Sequence, residues 1–163
     1  LQKRRANKEL TFDRVVIETT GLAQPAPVVQ TLLTDPYLAA HYRLDGVVTL
    51  VDAQHGPAQL DRHPEAQEQV GFADRLVVTK PDLATPEGLA ALEERLKDMN
   101  PRAPVRIARH GDAPSNWVLD VGGFETDAVL SLHPGFPRYR RPVEHTPHVE
   151  SFVHRSGERL DRE

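Results

Sequence analysis

The apolar positions of the chain fall into short continuous runs separated by amphipathic stretches. Arg14-Val-Val-Ile-Glu18 is a mostly β-branched run closed by an acid. Leu44-Asp-Gly-Val-Val-Thr-Leu-Val-Asp52, Asp74-Arg-Leu-Val-Val-Thr79 and Pro104-Val-Arg-Ile-Ala108 are three more. Runs of Val, Ile and Leu without polar alternation suit strands buried on both faces, as in parallel sheets. The pattern predicts parallel neighbouring strands over residues 12–18, 44–52, 74–79 and 104–108, with Glu18, Asp52 and Thr79 at one edge. Helical patterns fill the gaps. Residues 25–34 place Val28, Val29, Leu32 and Leu33 on one stripe. Residues 85–99 put Leu89, Leu92, Leu96 and Met99 on one face, with Glu93 and Lys97 as a favourable i,i+4 pair. Thr85 is the expected N-cap, Pro86 the first helical residue, and Asn100-Pro101 the stop. This β-α-β-α order predicts an α/β fold, a mostly parallel sheet with helices on both faces.

Length and composition narrow the picture. A chain of 163 residues predicts one domain, or one plus a fragment. Both ends read as cut from something longer. Residues 1–10 look like the last turns of a helix, or a tail, and Val149-Glu-Ser-Phe-Val153 looks like a strand without a partner. Pro134, Pro137, Pro142 and Pro147 mark a linker between the two parts. The chain has no Cys, which excludes a disulfide scaffold and any Cys-ligated metal site within these residues. There is no apolar run of about 18 residues and no signal-peptide pattern, so no membrane is expected and a cytoplasmic location is. The formal charge of −4 offers no global attraction to nucleic acid, which is not expected as a partner.

In open α/β sheets ligands bind beyond the carboxyl ends of the strands. The first run ends in Glu18-Thr-Thr-Gly21. An acid, hydroxyls and a Gly at a strand end have the form of a Walker B segment, where the acid holds magnesium and the Gly amide approaches a terminal phosphate. A capped turn before the next helix has the same composition. The third run ends in Thr79-Lys80-Pro81-Asp82. Strand followed by [N/T]-K-x-D is the guanine-specificity motif, in which the Asp accepts from N1–H and the exocyclic amine while the Lys stem lies along the base. A plain Lys-Pro-Asp turn is the alternative. The fourth run leads into Arg109-His110-Gly111-Asp112, either a loop over the guanine O6 or an ordinary Gly-Asp turn. His55 follows the second run directly and is either a zinc or cobalt ligand or a surface histidine. His145, His148 and His154 do not fix a tetrahedral site, and the small basic clusters at residues 3–5 and 138–141 read as solvated arginines and lysine.

Several of these strings together resemble one family. Phe12-Asp-Arg-Val-Val-Ile-Glu-Thr-Thr-Gly-Leu-Ala-Gln-Pro-Ala-Pro27, Leu44 to Ala53, Gln69 to Leu83 and Asn100-Pro-Arg-Ala-Pro-Val105 are similar to the CobW-type, cobalamin-biosynthesis-like P-loop GTPases. The resemblance is collinear from about residue 10 to residue 125 and resumes at Val149 to Val153. It implies a P-loop-NTPase-like fold truncated at the N-terminus. Residues 1–135 would be the later part of a GTP-binding domain, 136–148 a linker and 149–163 the start of a C-terminal domain. It also implies GTP hydrolysis with magnesium, coupled to delivery of zinc or cobalt to a metal-requiring client protein. Glu18 would be the catalytic and magnesium-holding acid, Gly21 the γ-phosphate contact, and Thr79, Lys80, Asp82 and His110 the nucleotide-binding residues, with His55 on the transported metal. The departures are specific. The Gly-rich phosphate loop and the Cys-x-Cys-Cys metal motif are not in these residues, Gln24 replaces the usual Asp, and Thr79 stands where many GTPases have Asn. The chain alone is therefore expected to be inactive. The other reading is a non-catalytic α/β interaction module with vestigial nucleotide motifs.

Overall fold

The computed structural model describes residues 11–119 and residue 121. The expected linker, the strand at 149–153 and the domain boundaries drawn around them lie outside the described residues. Three parallel strands form one sheet in the order β1 (Val48–Asp52), β2 (Arg75–Thr79), β3 (Val105–Ala108). The helices are α1 (Pro25–Thr34), α2 (Pro36–His41), α3 (Gly56–Arg62), α4 (Pro64–Phe72), α5 (Pro86–Met99) and α6 (Ser115–Val118), with a 3-10 turn at Pro81–Leu83.

Local chemistry explains the helix starts. Prolines stand at the first turn of α1 to α5, where a missing N–H costs nothing and φ is already helical. Thr85 caps α5 by accepting from the Gly88 amide at 3.1 Å, as its sequence predicts. Asp35 caps α2 the same way, accepting from Leu38 at 2.8 Å. The Glu93–Lys97 pair is present at 3.9 Å.

One face of the sheet carries the core. Val51, Leu76 and Val78 pack with Leu60 of α3, Val70 of α4, and Leu92 and Leu96 of α5. Each such side chain, fully withdrawn from water, contributes about 1.5–3 kcal/mol. The predicted apolar face of α5 is the one that is buried, with Leu89 and Met99 at its margin. Only the central strand matches the expectation of burial on both faces, its Leu76, Val77 and Val78 all being inaccessible. On the opposite face Trp117 of α6 lies against the guanidinium groups of Arg75 and Arg106, at 5.2 and 5.8 Å from its ring. Leu50 of β1 remains 68% exposed there.

Residues 12–18 are not the strand their composition predicts. They run without ladder pairing, and Val15, Val16 and Ile17 are exposed, Val16 by 81%. β-branched composition describes fitness for a half-buried pleated surface rather than a backbone preference of its own. Without a ladder partner among the described residues, that composition does not make a strand. The segment is tied down at Arg14, whose guanidinium meets Asp45 at 3.5 Å.

Candidate nucleotide-binding site

The carboxyl ends of β1, β2 and β3 lie side by side, because Asp52 is in register with Thr79 and Thr79 with Ala108. Past β2, Lys80 takes a left-handed conformation (φ 53, ψ 43) and the chain enters the 3-10 turn Pro81–Leu83. The turn is closed by the Leu83 amide donating to the Lys80 carbonyl at 3.0 Å. Pro81 is buried as its pivot and Asp82 is exposed. Past β3, His110 and Gly111 also have positive φ, 50 and 78, and Asp112 donates back to the Arg109 carbonyl at 2.9 Å. Thr79, Lys80, Asp82 and His110 therefore gather on two adjacent turns at one edge. The Thr79 hydroxyl points to β1, 3.4 Å from the Val51 carbonyl.

Sequence reasoning placed Asp52 at this edge but gave it no part in binding. Its Oδ1 accepts from the Gln54 and His55 amides at 2.8 and 2.9 Å, and its Oδ2 takes the Lys80 ammonium at 2.7 Å. Burial by itself raises the Asp52 pKa, but the Lys80 hydrogen bond and the two amides together outweigh it and hold the carboxyl below its ordinary value. An acid closing a strand, followed at i+2 and i+3 by free amides, is the available sequence signal for such a turn.

The contact of Gly21 runs to α4. Gly21 sits in a turn closed by Ala23 donating to Thr20 at 3.0 Å. Gln69 of α4 clamps it, its side-chain amide donating to the Gly21 and Ala23 carbonyls at 3.0 and 2.8 Å. The Gln69 carbonyl in turn accepts from the Thr49 hydroxyl at 2.9 Å, which ties α4 to β1. Gly21 lines a groove of about 310 Å³ with apolar walls (Leu22, Leu50, Val51, Leu60, Val70) and polar ones (Thr49, Gln59, His63, Gln69), and none of its lining residues belongs to the Lys80–Asp82 turn. Glu18 is exposed. His55 is exposed one residue before α3. Among the described residues no three His, Asp or Glu side chains converge as a metal-binding group. Magnesium is held by one or two carboxylates together with waters and substrate phosphates. Zinc needs three or four protein donors, and this set is not assembled here.

A parallel sheet with flanking helices, and a Thr-Lys-x-Asp turn at its carboxyl edge, define a nucleotide-binding α/β domain of the P-loop-NTPase type. Residues 2–106 match the family described as CobW/HypB/UreG, nucleotide-binding domain, and the chain belongs to that family. Zinc chaperone YjiA of Escherichia coli (strain K12) is 44% identical over 129 residues, covering 78% of this chain and 40% of that protein. Zinc-regulated GTPase metalloprotein activator 1 of Schizosaccharomyces pombe is 33% identical over 127 residues, covering 74% and 30%. The crystal structure of Zn(II)-bound YjiA GTPase from E. coli superposes with a TM-score of 0.69 at 41% identity, over 76% of this chain and 38% of that one. The chain thus spans less than half the length of the curated relatives it matches. No helix of the described residues is long and apolar enough to cross a membrane.

Proposed function

We propose that this chain supplies the guanine-recognition part of a cytoplasmic GTPase that couples GTP hydrolysis to delivery of zinc or cobalt to a client protein. The observation that carries the reading is the left-handed Lys80 followed by a 3-10 turn, which holds Asp82 in solvent beside the turn containing His110. An exposed carboxylate at that place accepts from guanine N1–H and the 2-amino group together. Adenine offers neither donor there, so the carboxylate discriminates against it. The Lys80 stem is assigned to the face of the base, and the loop of residues 109–112 to its O6. Kinship with proteins named zinc chaperone and zinc-regulated GTPase supports the coupling to metal. Phosphate binding falls to a Gly-rich loop, for which this sequence has no Gly-Lys pair. Glu18 is assigned to the magnesium shell or the attacking water. Bound magnesium would neutralise phosphate charge. His55 is assigned to the transported metal, with its further donors outside the described residues.

The test is base preference in the natural-length protein. Asp82→Asn replaces an acceptor by a group that can donate to the 2-oxygen of xanthine. GTP affinity should fall about tenfold or more, from losing the charge-assisted hydrogen bond to the 2-amino group, roughly 1.5–3 kcal/mol, while xanthosine triphosphate improves. An unchanged ratio of the two affinities would remove Asp82 from the base site.

A further inference from the structure

Lys80 is a non-glycine residue in the left-handed region. That conformation is disfavoured for an L-residue and persists only where its surroundings hold it. The Leu83 amide on the Lys80 carbonyl closes the turn that follows but does not restrain the side chain. The side chain is restrained by Asp52. We propose that Asp52 is the positioning residue of the base-recognition turn: it clamps the Lys80 ammonium, which fixes the backbone that presents Asp82, and it ties this turn to the loop carrying His55. The inference rests on the base-site reading above.

The clamp is rigid on the Asp52 side. The carboxylate is only 16% exposed, and one oxygen is held by two main-chain amides, so its direction is set by the end of β1. The Lys80 side chain is 60% exposed, and its ammonium would otherwise swing freely on four methylenes. Held at 2.7 Å, it draws the Lys80 stem across the gap between the ends of β1 and β2. That stem is the apolar surface on which a purine face can lie. The arrangement has a second consequence. The His55 amide and the Lys80 ammonium share one carboxylate, so a base pressing on the stem loads the same group that orients the residue 54–56 loop. Asp52 needs no contact with nucleotide or metal to link the two.

The natural-length protein is the material for the test, with GTP and xanthosine triphosphate as probes. Asp52→Asn keeps an oxygen for the two amides and removes the charge that holds Lys80. It should weaken both nucleotides about tenfold and by the same factor, unlike Asp82→Asn, which changes their ratio. Lys80→Met keeps the apolar stem without the ammonium. The Asp52→Asn, Lys80→Met double variant should bind no more weakly than Lys80→Met alone, because Asp52 acts through Lys80. Additive losses, or an unaltered affinity in Asp52→Asn, would overturn the proposal. A readout on the wild type does not depend on the variants folding: saturating GDP should slow hydrogen exchange at the Gln54 and His55 amides, and unchanged rates would likewise overturn it. An unchanged GTP-to-xanthosine-triphosphate ratio in Asp82→Asn would instead strike the underlying base-site reading.

Discussion

Replacing Asn100 by Ala should be among the most damaging changes available in this fold. Asn100 is the one buried polar residue of the described core, 7% exposed at the end of α5. Its side-chain amide donates to the Val70 carbonyl at 2.8 Å and the Ala73 carbonyl at 2.9 Å, with a longer contact of 3.3 Å to Gly71. Its Oδ1 accepts from the Ala103 amide at 3.2 Å. One side chain thus joins the end of α4, the start of β2 and the turn into β3. In Asn100→Ala the Val70 carbonyl keeps a 3.3 Å bond from the Ala73 amide, and the Ala103 amide keeps one of 3.2 Å to the Asn100 carbonyl. The Ala73 carbonyl is left worst placed. Each buried polar group left without its partner costs about 1–3 kcal/mol, so two to three weakened groups predict a loss of about 3–5 kcal/mol. For a chain of 163 residues that lowers Tm by about 6 °C or more. Urea unfolding followed by circular dichroism measures the difference directly, and the m-value checks that the unfolded state is unchanged. A loss below about 1 kcal/mol would refute the reasoning and show that water replaces the amide at no cost. Asn100→Asp is the sharper variant: it retains the acceptor for Ala103, removes both donors and buries a charge. It should be no more stable than the Ala variant.

Asp74 makes a prediction about pH. Burial, with Asp45 adding to it, raises its pKa above the ordinary carboxylate value against the lowering effect of the Val47 amide and Arg75. The folded state therefore binds the proton more tightly than the unfolded one, and this group's contribution declines as pH rises from about 4 through the raised folded value. Asp74→Asn keeps an acceptor for the Val47 amide, now 2.7 Å from the carboxylate, and removes the buried charge. It should gain stability on the wild type between about pH 4 and pH 7, and urea melts in which the wild type gains instead would contradict the sign. Gly56 makes a prediction about packing. A Cβ there would stand 2.7 Å from Val51 Cγ1 in the core, so Gly56→Ala should cost about 1–3 kcal/mol despite its better helix propensity, and an unchanged urea midpoint would show that β1 and α3 can part at that point.

Much of the architecture was legible along the chain. The α5 helix announces both of its ends and its buried face through Thr85, Pro86, the leucine spacing and Asn100. The strands at 75–79 and 105–108 follow from continuous apolar runs between turn residues. These features depend on neighbours a few residues away, and propensity, capping and periodicity are local. The turn at Pro81 was legible for the same reason, since proline presets its own φ, whereas the left-handed Lys80 before it was not. Two kinds of feature were not. The first is which apolar run enters the sheet. Val15, Val16 and Ile17 are as strand-like as Leu76, Val77 and Val78, yet among the described residues they are exposed and have no ladder partner, while the latter are buried at the sheet centre. A strand is stabilised by its partners, and partnership is a property of the assembled sheet rather than of the segment. The second is side-chain wiring across long separations. Asp52 reaches Lys80, Gln69 reaches Gly21 and Asn100 reaches Val70 over 28, 48 and 30 positions of sequence. The residue types are capable of such bonds anywhere. Only the register of β1 with β2, and the packing of α4 and α5 against them, brings each donor within hydrogen-bond reach of its acceptor.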